Sequence, residues 1–302
     1  MKMKLSGLIA ATFTPFDRDG KVDLKPIPAL VERLIAQGIT GFYVCGSTGE
    51  GPSLSTEERE AVAAAYVAAV AGRIPVVIQV GHNSIEEARK LARHAALTGA
   101  DAISAVSPSY YRPESTEVLV DTLAHITDGA PDLPFYYYHI PQLSGLSVNM
   151  MAFLEKAPAR IPSFAGIKFS SRELEVMQQC LAFDGGRYNI LFGVDEMLLS
   201  GLVAGAQGAV GSTYNFLAPL FQKVMQHLDQ GDLEAAQNYQ LEAAEIIQVM
   251  LRYHGLSGLK GALSISGMPF GFTRLPLTPL SVVEYQALEK ELNALGFPDS
   301  IG

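Results

Sequence analysis

Lys168 stands in the run FAGIKFSS (164–171), where Phe164, Ala165, Gly166, Ile167 and Phe169 otherwise make a short apolar segment suited to a buried strand. Taking an ammonium group out of water costs several kcal/mol unless it is paired or loses its proton. If the side chain points inward, desolvation lowers its pKa from about 10.4. That leaves a neutral amine, which attacks a carbonyl to form a Schiff base. The bland alternative is a lysine that snorkels to a rim or pairs with a carboxylate, with Asp195 and Glu196 as candidate partners.

Other polar groups fall at the ends of apolar runs. Gly46-Ser47-Thr48-Gly49-Glu50-Gly51 is a turn of small residues with two hydroxyls, followed by a helix start. Its exposed backbone N–H groups suit a carboxylate or other small anion, and a ligand-free strand-to-helix turn fits the same pattern equally well. Tyr136-Tyr137-Tyr138-His139 must send alternate side chains to opposite faces, so at least one tyrosine is packing. Tyr138, nearest the end, could lend a phenol for proton transfer. Gly193-Val194-Asp195-Glu196 and Gly211-Ser212-Thr213-Tyr214-Asn215 supply carboxylates and hydroxyls, with helix capping as the plain reading of Asp195. The histidines lack zinc-ligand spacing, although His82 and His139 with Asp195 or Glu196 keep a metal site as a minor alternative.

The elements that must position these groups alternate regularly. Apolar strand candidates are LIAATF (8–13), GFYVCG (41–46), PVVIQVG (75–81), DAISAVS (101–107), PFYYYHI (134–140), FAGIKFS (164–170), NILFGVD (189–195) and GAVGST (208–213). Continuous apolar runs fit parallel strands covered on both faces. Amphipathic segments lie between them, with capping-box pairs Ser55/Glu58 and Ser84/Glu87 and with terminal glycines Gly38, Gly72 and Gly99. Eight such units close a parallel (β/α)8 TIM barrel. The competing open doubly wound sheet expects a glycine-rich loop after its first strand, and Thr14-Pro15-Phe16 is not one. We therefore expect a single α/β domain, with the barrel over 1–231 and a C-terminal helical extension over 232–302 packed on it. The functional face of such a barrel lies at the carboxyl ends of its strands.

Composition narrows the function classes. The 302 residues are 48% hydrophobic and 18% charged, enough for a substantial core. A net charge of -9 argues against a nucleic-acid partner. No run approaches the roughly 18 apolar residues that span a bilayer, and MKMKLSGLIAATFTPF lacks a signal-peptide cleavage pattern. Two cysteines, Cys45 and Cys180, give no disulfide framework and fit a cytoplasmic address.

Taken together and in order, GSTGE (46–50), YYYHIP (136–141), GIKFSS (166–171), FGVDE (192–196) and GAVGSTYN (208–215) resemble the dihydrodipicolinate synthase/N-acetylneuraminate lyase superfamily, closest to its animal-type lyase branch. The likeness runs from the first strand to GMPFGFTRLPL (267–277). It implies a class I aldolase on a TIM barrel, usually a homotetramer, that needs no cofactor. By the resemblance, Lys168 is the Schiff-base lysine, Ser47 and Thr48 bind the pyruvyl carboxylate, and Tyr138 shuttles protons. Tyr110, with its neighbour Tyr111 as the alternative, would cross a subunit interface. Gly193, Asp195, Glu196 and Ser212 would bind a sugar's polyol tail, and Ser170 would face the substrate. Tyr253 and His254 are candidates for a C-terminal aromatic contact.

The implied reaction is reversible cleavage of N-acetylneuraminate to N-acetylmannosamine and pyruvate. The alternatives are another pyruvate-dependent aldolase or dehydratase acting on a 2-keto-3-deoxy sugar acid, or 4-hydroxy-tetrahydrodipicolinate synthase. Leu143 stands where the synthases carry a carboxylate-gripping arginine, which weakens the last of these. The adjacent carboxylates of GVDE accept from hydroxyls and would repel a dicarboxylate.

Overall fold

The computed structural model describes residues 4–298. Eight parallel strands close into a barrel in sequence order: β1 (Gly7–Ala11), β2 (Gly41–Val44), β3 (Val76–Gln79), β4 (Ala102–Val106), β5 (Phe135–His139), β6 (Phe164–Phe169), β7 (Asn189–Phe192) and β8 (Gly208–Gly211). β8 returns to β1 through Gly7–Gly208 and three following pairs, so no strand edge is left open. Each strand falls within or beside the apolar run expected of it.

Helices cover the barrel because each strand's outward residues need an apolar partner layer. Phe42 and Val44 of β2 join the large core between sheet and helices, while Tyr43 joins a separate cluster inside the barrel with Tyr136, Tyr138 and Leu191. Strand parity alone makes this division. The helix Thr56–Val70 opens with the full Ser55/Glu58 capping box. At the helix Ile85–Thr98, Ser84 accepts from the Glu87 N–H, but the Glu87 carboxylate accepts instead from the Thr56 hydroxyl at 2.7 Å. The second box is therefore half made, because that carboxylate ties two helices together.

After β8 the chain is helical: Tyr214–Asp229, Leu233–Arg252, Leu256–Ile265 and Val282–Ala294. The extension is fastened to the barrel by charge as well as by packing. Lys260 and Glu50, 210 positions apart, form a buried ion pair at 2.8 Å. Arg274 pairs with Glu58 at 2.6 Å. Among the described residues, no helix is long and apolar enough to cross a membrane.

Candidate active site

Lys168 lies in β6, paired in register with Tyr138 of β5 and Leu191 of β7. Its side chain enters the barrel and is 4% exposed. The Nζ atom sits over two aromatic faces, 3.9 Å from the Tyr43 ring centroid and 4.1 Å from that of Tyr138. Burial pushes its pKa down to about 7, with the Asp195 charge pulling the other way. Among the described residues no carboxylate comes within ion-pair distance of it. The lysine neither snorkels nor pairs, so both bland readings fail on geometry.

The carboxyl end of β2 turns into the Ser47–Thr48 loop through left-handed backbone at Cys45 (φ 60) and Glu50 (φ 55). Gly51 is required there, because a Cβ would lie 2.0 Å from the Cys45 carbonyl oxygen. Thr14 Oγ1 donates to the Gly49 carbonyl at 2.7 Å. Glu50 turns away from the mouth: one carboxylate oxygen takes Lys260, and the other accepts the Arg274 N–H at 2.8 Å. Ser47 Oγ is thereby held 3.4 Å from the Tyr138 hydroxyl. Thr48 Oγ1 lies 2.6 Å from Ser212 Oγ, joining the β2 and β8 loops.

The three tyrosines of β5 divide by parity. Tyr137 packs outward on Phe153, with ring centroids 4.6 Å apart. Tyr136 points inward and donates to Asn189 Oδ1 at 3.0 Å. Tyr138 also points inward, nearest the mouth. Burial raises its pKa, and the Asp195 charge adds to this, against the hydroxyls of Ser47 and Ser170.

The outer part of the mouth is a cavity of about 220 Å³ whose wall includes Ser170, Gly193, Asp195, Glu196 and Ser212. Gly193, Asp195, Glu196 and Ser212 are the residues the resemblance assigns to the polyol tail, and Ser170 the one it has face the substrate. Asp195 does serve a capping purpose, but for another element than its own. Its Oδ2 accepts the Thr213 N–H at 2.8 Å and the Thr213 hydroxyl at 2.7 Å, at the start of the helix Tyr214–Asp229. Burial still raises its pKa to about 6. Glu196, on the rim, lies 3.9 Å from Arg172. Arg172 and Gln142 line the same cavity, and sequence reasoning passed over both.

Several expected residues lie elsewhere. Tyr110 and Tyr111 are 79% and 85% exposed, packed edge-on against each other at 4.9 Å on the loop after β4. Their own chain does not draw them into the mouth; instead Asn83 Oδ1 accepts from the backbone N–H of Ser109 and Tyr110. Tyr253 and His254 do not line the cavity and bond to Glu291 and Glu284 of the last helix; Ile247, Leu251 and Leu259 supply its apolar wall. His139 faces the outer layer, 5.0 Å from the Phe169 ring, and burial holds its pKa at about 4. The His82 Nδ1 accepts from the Ser84 N–H at 2.9 Å. Among the described residues no group of three or more His, Cys, Asp or Glu is placed to hold a metal ion.

Tyr43 is the clearest omission from the sequence reading. It is one apolar residue in a strand buried on both faces, so no alternation marks its side. Counting parity back from the turn at Ser47 would have set it apart from Phe42 and Val44.

The chain is similar along nearly its whole length to known proteins. The N-acetylneuraminate lyase of Rattus norvegicus is 40% identical over 98% of this chain and 95% of its own length. The solved N-acetylneuraminate lyase of Proteus mirabilis superposes with a TM-score of 0.95 at 40% identity, covering 98% of this chain and 100% of that one. The sialic acid aldolase of Aliivibrio salmonicida follows at 0.94 and 39%, covering 98% of each chain. Residues 4–295 match the Dihydrodipicolinate synthetase family, and the chain belongs to it.

Proposed function

We propose that this protein is a class I aldolase that reversibly cleaves N-acetylneuraminate to N-acetylmannosamine and pyruvate. The observation that carries the reading is the Lys168 amine, buried at the mouth of the barrel without a carboxylate partner and with its pKa lowered to about 7. A lysine so placed is substantially neutral near neutral pH and can act as a nucleophile.

In this reading the Lys168 lone pair adds to the C2 ketone of the open-chain sugar acid. The carbonyl oxygen leaves as water, and the nitrogen becomes an iminium. The cation is the electron sink, so no metal or organic cofactor is required. Tyr138 takes the C4 hydroxyl proton while passing its own phenol proton to the Ser47 hydroxyl 3.4 Å away and so toward solvent, the C3–C4 bond breaks, and the electron pair of that bond forms the enamine of pyruvate. Protonation at C3 and hydrolysis of the imine release pyruvate. Ser47 and Thr48 hold the carboxylate, which fixes the bond to be broken near its reactive geometry. The sugar's hydroxyls would be read by Ser170, Glu196, Asp195 and Ser212 around the outer cavity, with the backbone of Gly193 giving them room.

Leu143, 65% exposed, offers no cation where a synthase would grip its second carboxylate. The exposed Tyr110 gains a role if a second copy buries it, as in a homotetramer of this family, and a cytoplasmic address suits two free cysteines. The test is borohydride reduction in the presence of pyruvate, followed by mass mapping, together with an assay on N-acetylneuraminate and 2-keto-3-deoxygluconate. The expected result is an adduct on Lys168 and release of N-acetylmannosamine. An adduct without that release transfers the reading to another pyruvate aldolase, and no adduct overturns it.

A further inference from the structure

Resting on the Schiff-base reading above, we infer that Tyr43 is a further catalytic residue: the face of its ring, and not its hydroxyl, stabilises the cation formed at Lys168 Nζ. Three observations carry this. The Nζ atom lies 3.9 Å from the Tyr43 ring centroid and 4.1 Å from that of Tyr138, two rings set 73° apart, so the reacting nitrogen sits in the corner formed by two aromatic faces. Tyr43 is 1% exposed and its orientation is fixed from both ends. The phenol donates to Ser104 Oγ at 3.0 Å, Ser104 Oγ donates in turn to the Tyr136 carbonyl at 2.8 Å, and the ring meets Tyr138 edge-on at 5.7 Å. Finally, the nearby carboxylate is already engaged, since Asp195 Oδ2 accepts two hydrogen bonds from Thr213.

The chemistry explains why a ring face suits this position better than a carboxylate. Condensation turns a neutral amine and a neutral ketone, with one proton, into water and an iminium; its charge at the nitrogen is quenched when bond cleavage forms the neutral enamine and returns on protonation at C3, before hydrolysis. A carboxylate in contact would stabilise that charge, but it would equally hold the resting lysine as ammonium, which has no lone pair to attack with. The negative face of an aromatic ring attracts a cation less strongly and keeps water away. It therefore supports the iminium while leaving the resting amine free to lose its proton. Tyr138 differs in that its hydroxyl faces Ser47 at the mouth, whereas the Tyr43 hydroxyl is turned into the barrel floor.

The test is the rate of reductive trapping with pyruvate in wild type, Tyr43→Phe, Tyr43→Leu, and variants carrying mono- to trifluorinated phenylalanine at position 43. Fluorination drains the ring face while nearly preserving its shape. Tyr43→Phe is expected to slow trapping by no more than about threefold, and Tyr43→Leu by roughly ten- to thirtyfold. The fluorinated series should fall stepwise at an unchanged thermal midpoint, a readout that a packing role would not move. A flat series, with wild type still trapped, overturns the inference for Tyr43 alone. No adduct on wild type overturns it together with the Schiff-base reading.

Discussion

Two lysines are buried among the described residues, and they are buried differently. Lys260 is 1% exposed and Lys168 is 4% exposed; each lies over an aromatic ring, and burial lowers the pKa of each. Lys260 donates to Glu50 at 2.8 Å and to the Phe272 carbonyl at 3.0 Å, so its charge is answered. Lys168 faces two rings, and among the described residues no carboxylate comes within ion-pair distance of it. A buried ammonium with its acceptors in place fastens two parts of a fold, and one without them is poised to give up its proton. Burial alone does not distinguish a structural lysine from a chemical one. The partners do.

The strongest way to break this comparison is to replace each lysine by methionine. Lys168→Met is expected to abolish reductive trapping and cleavage altogether while making the protein more stable. Lys168 is held near 7 when folded, against 10.5 ordinarily. Between those pH values the unfolded chain binds one proton more than the folded chain, so stability rises with pH across the window, and the full cost applies below about 7. Removing it gains on the order of 4 kcal/mol at neutral pH, read by denaturant unfolding. Lys260→Met should do the reverse. It strands the Glu50 carboxylate and costs about 3–5 kcal/mol, while the folded fraction still traps pyruvate at Lys168. Adding Glu50→Gln should recover part of that loss, because no buried charge is then left alone. If both single variants shift stability in the same direction, the distinction is wrong.

A milder probe is pH. With the neutral amine as the proposed nucleophile, the trapping rate with pyruvate should rise through about pH 7 and level off above it. Below that midpoint it should fall by about tenfold per unit. A rate still climbing steeply toward pH 10 would mean that Lys168 titrates as an ordinary lysine and that its burial does not govern its chemistry.

Lys168 was legible as out of place because a charge interrupts the apolar run FAGIKF, and the fold then removed the snorkelling and paired alternatives. The barrel was legible because eight apolar runs separated by amphipathic segments leave few topologies. Lys260 was not, since a lysine in the helical stretch LSGLKGALSI looks like any surface helix residue until Glu50 is brought beside it by the fold. Tyr43 was hidden for the opposite reason, an apolar residue among apolar neighbours. The difference is physical. Local patterns report whether a position is out of place in its own element, whereas pairing across 210 positions or across a barrel is set by closure of the whole fold.

The smallest expected effect tests how the two halves of the mouth communicate. Among the described residues Asp195 is the carboxylate whose charge bears on Lys168, and its own ionisation is held by Thr213. Thr213→Val keeps the shape and the backbone N–H bond but removes the 2.7 Å hydroxyl bond. That bond favours the charged carboxylate, so its loss should raise the pKa of Asp195 above about 6. With less negative charge nearby at pH 6–7, Lys168 loses part of what holds its pKa up, and its own midpoint should move slightly down. The trapping profile of the variant is therefore expected to shift toward acid by a few tenths of a unit, and its stability to fall by about 1 kcal/mol. A shift toward alkali would show that Asp195 does not act on the lysine through its charge, and the contrast between the two lysines would then rest on their contacts alone.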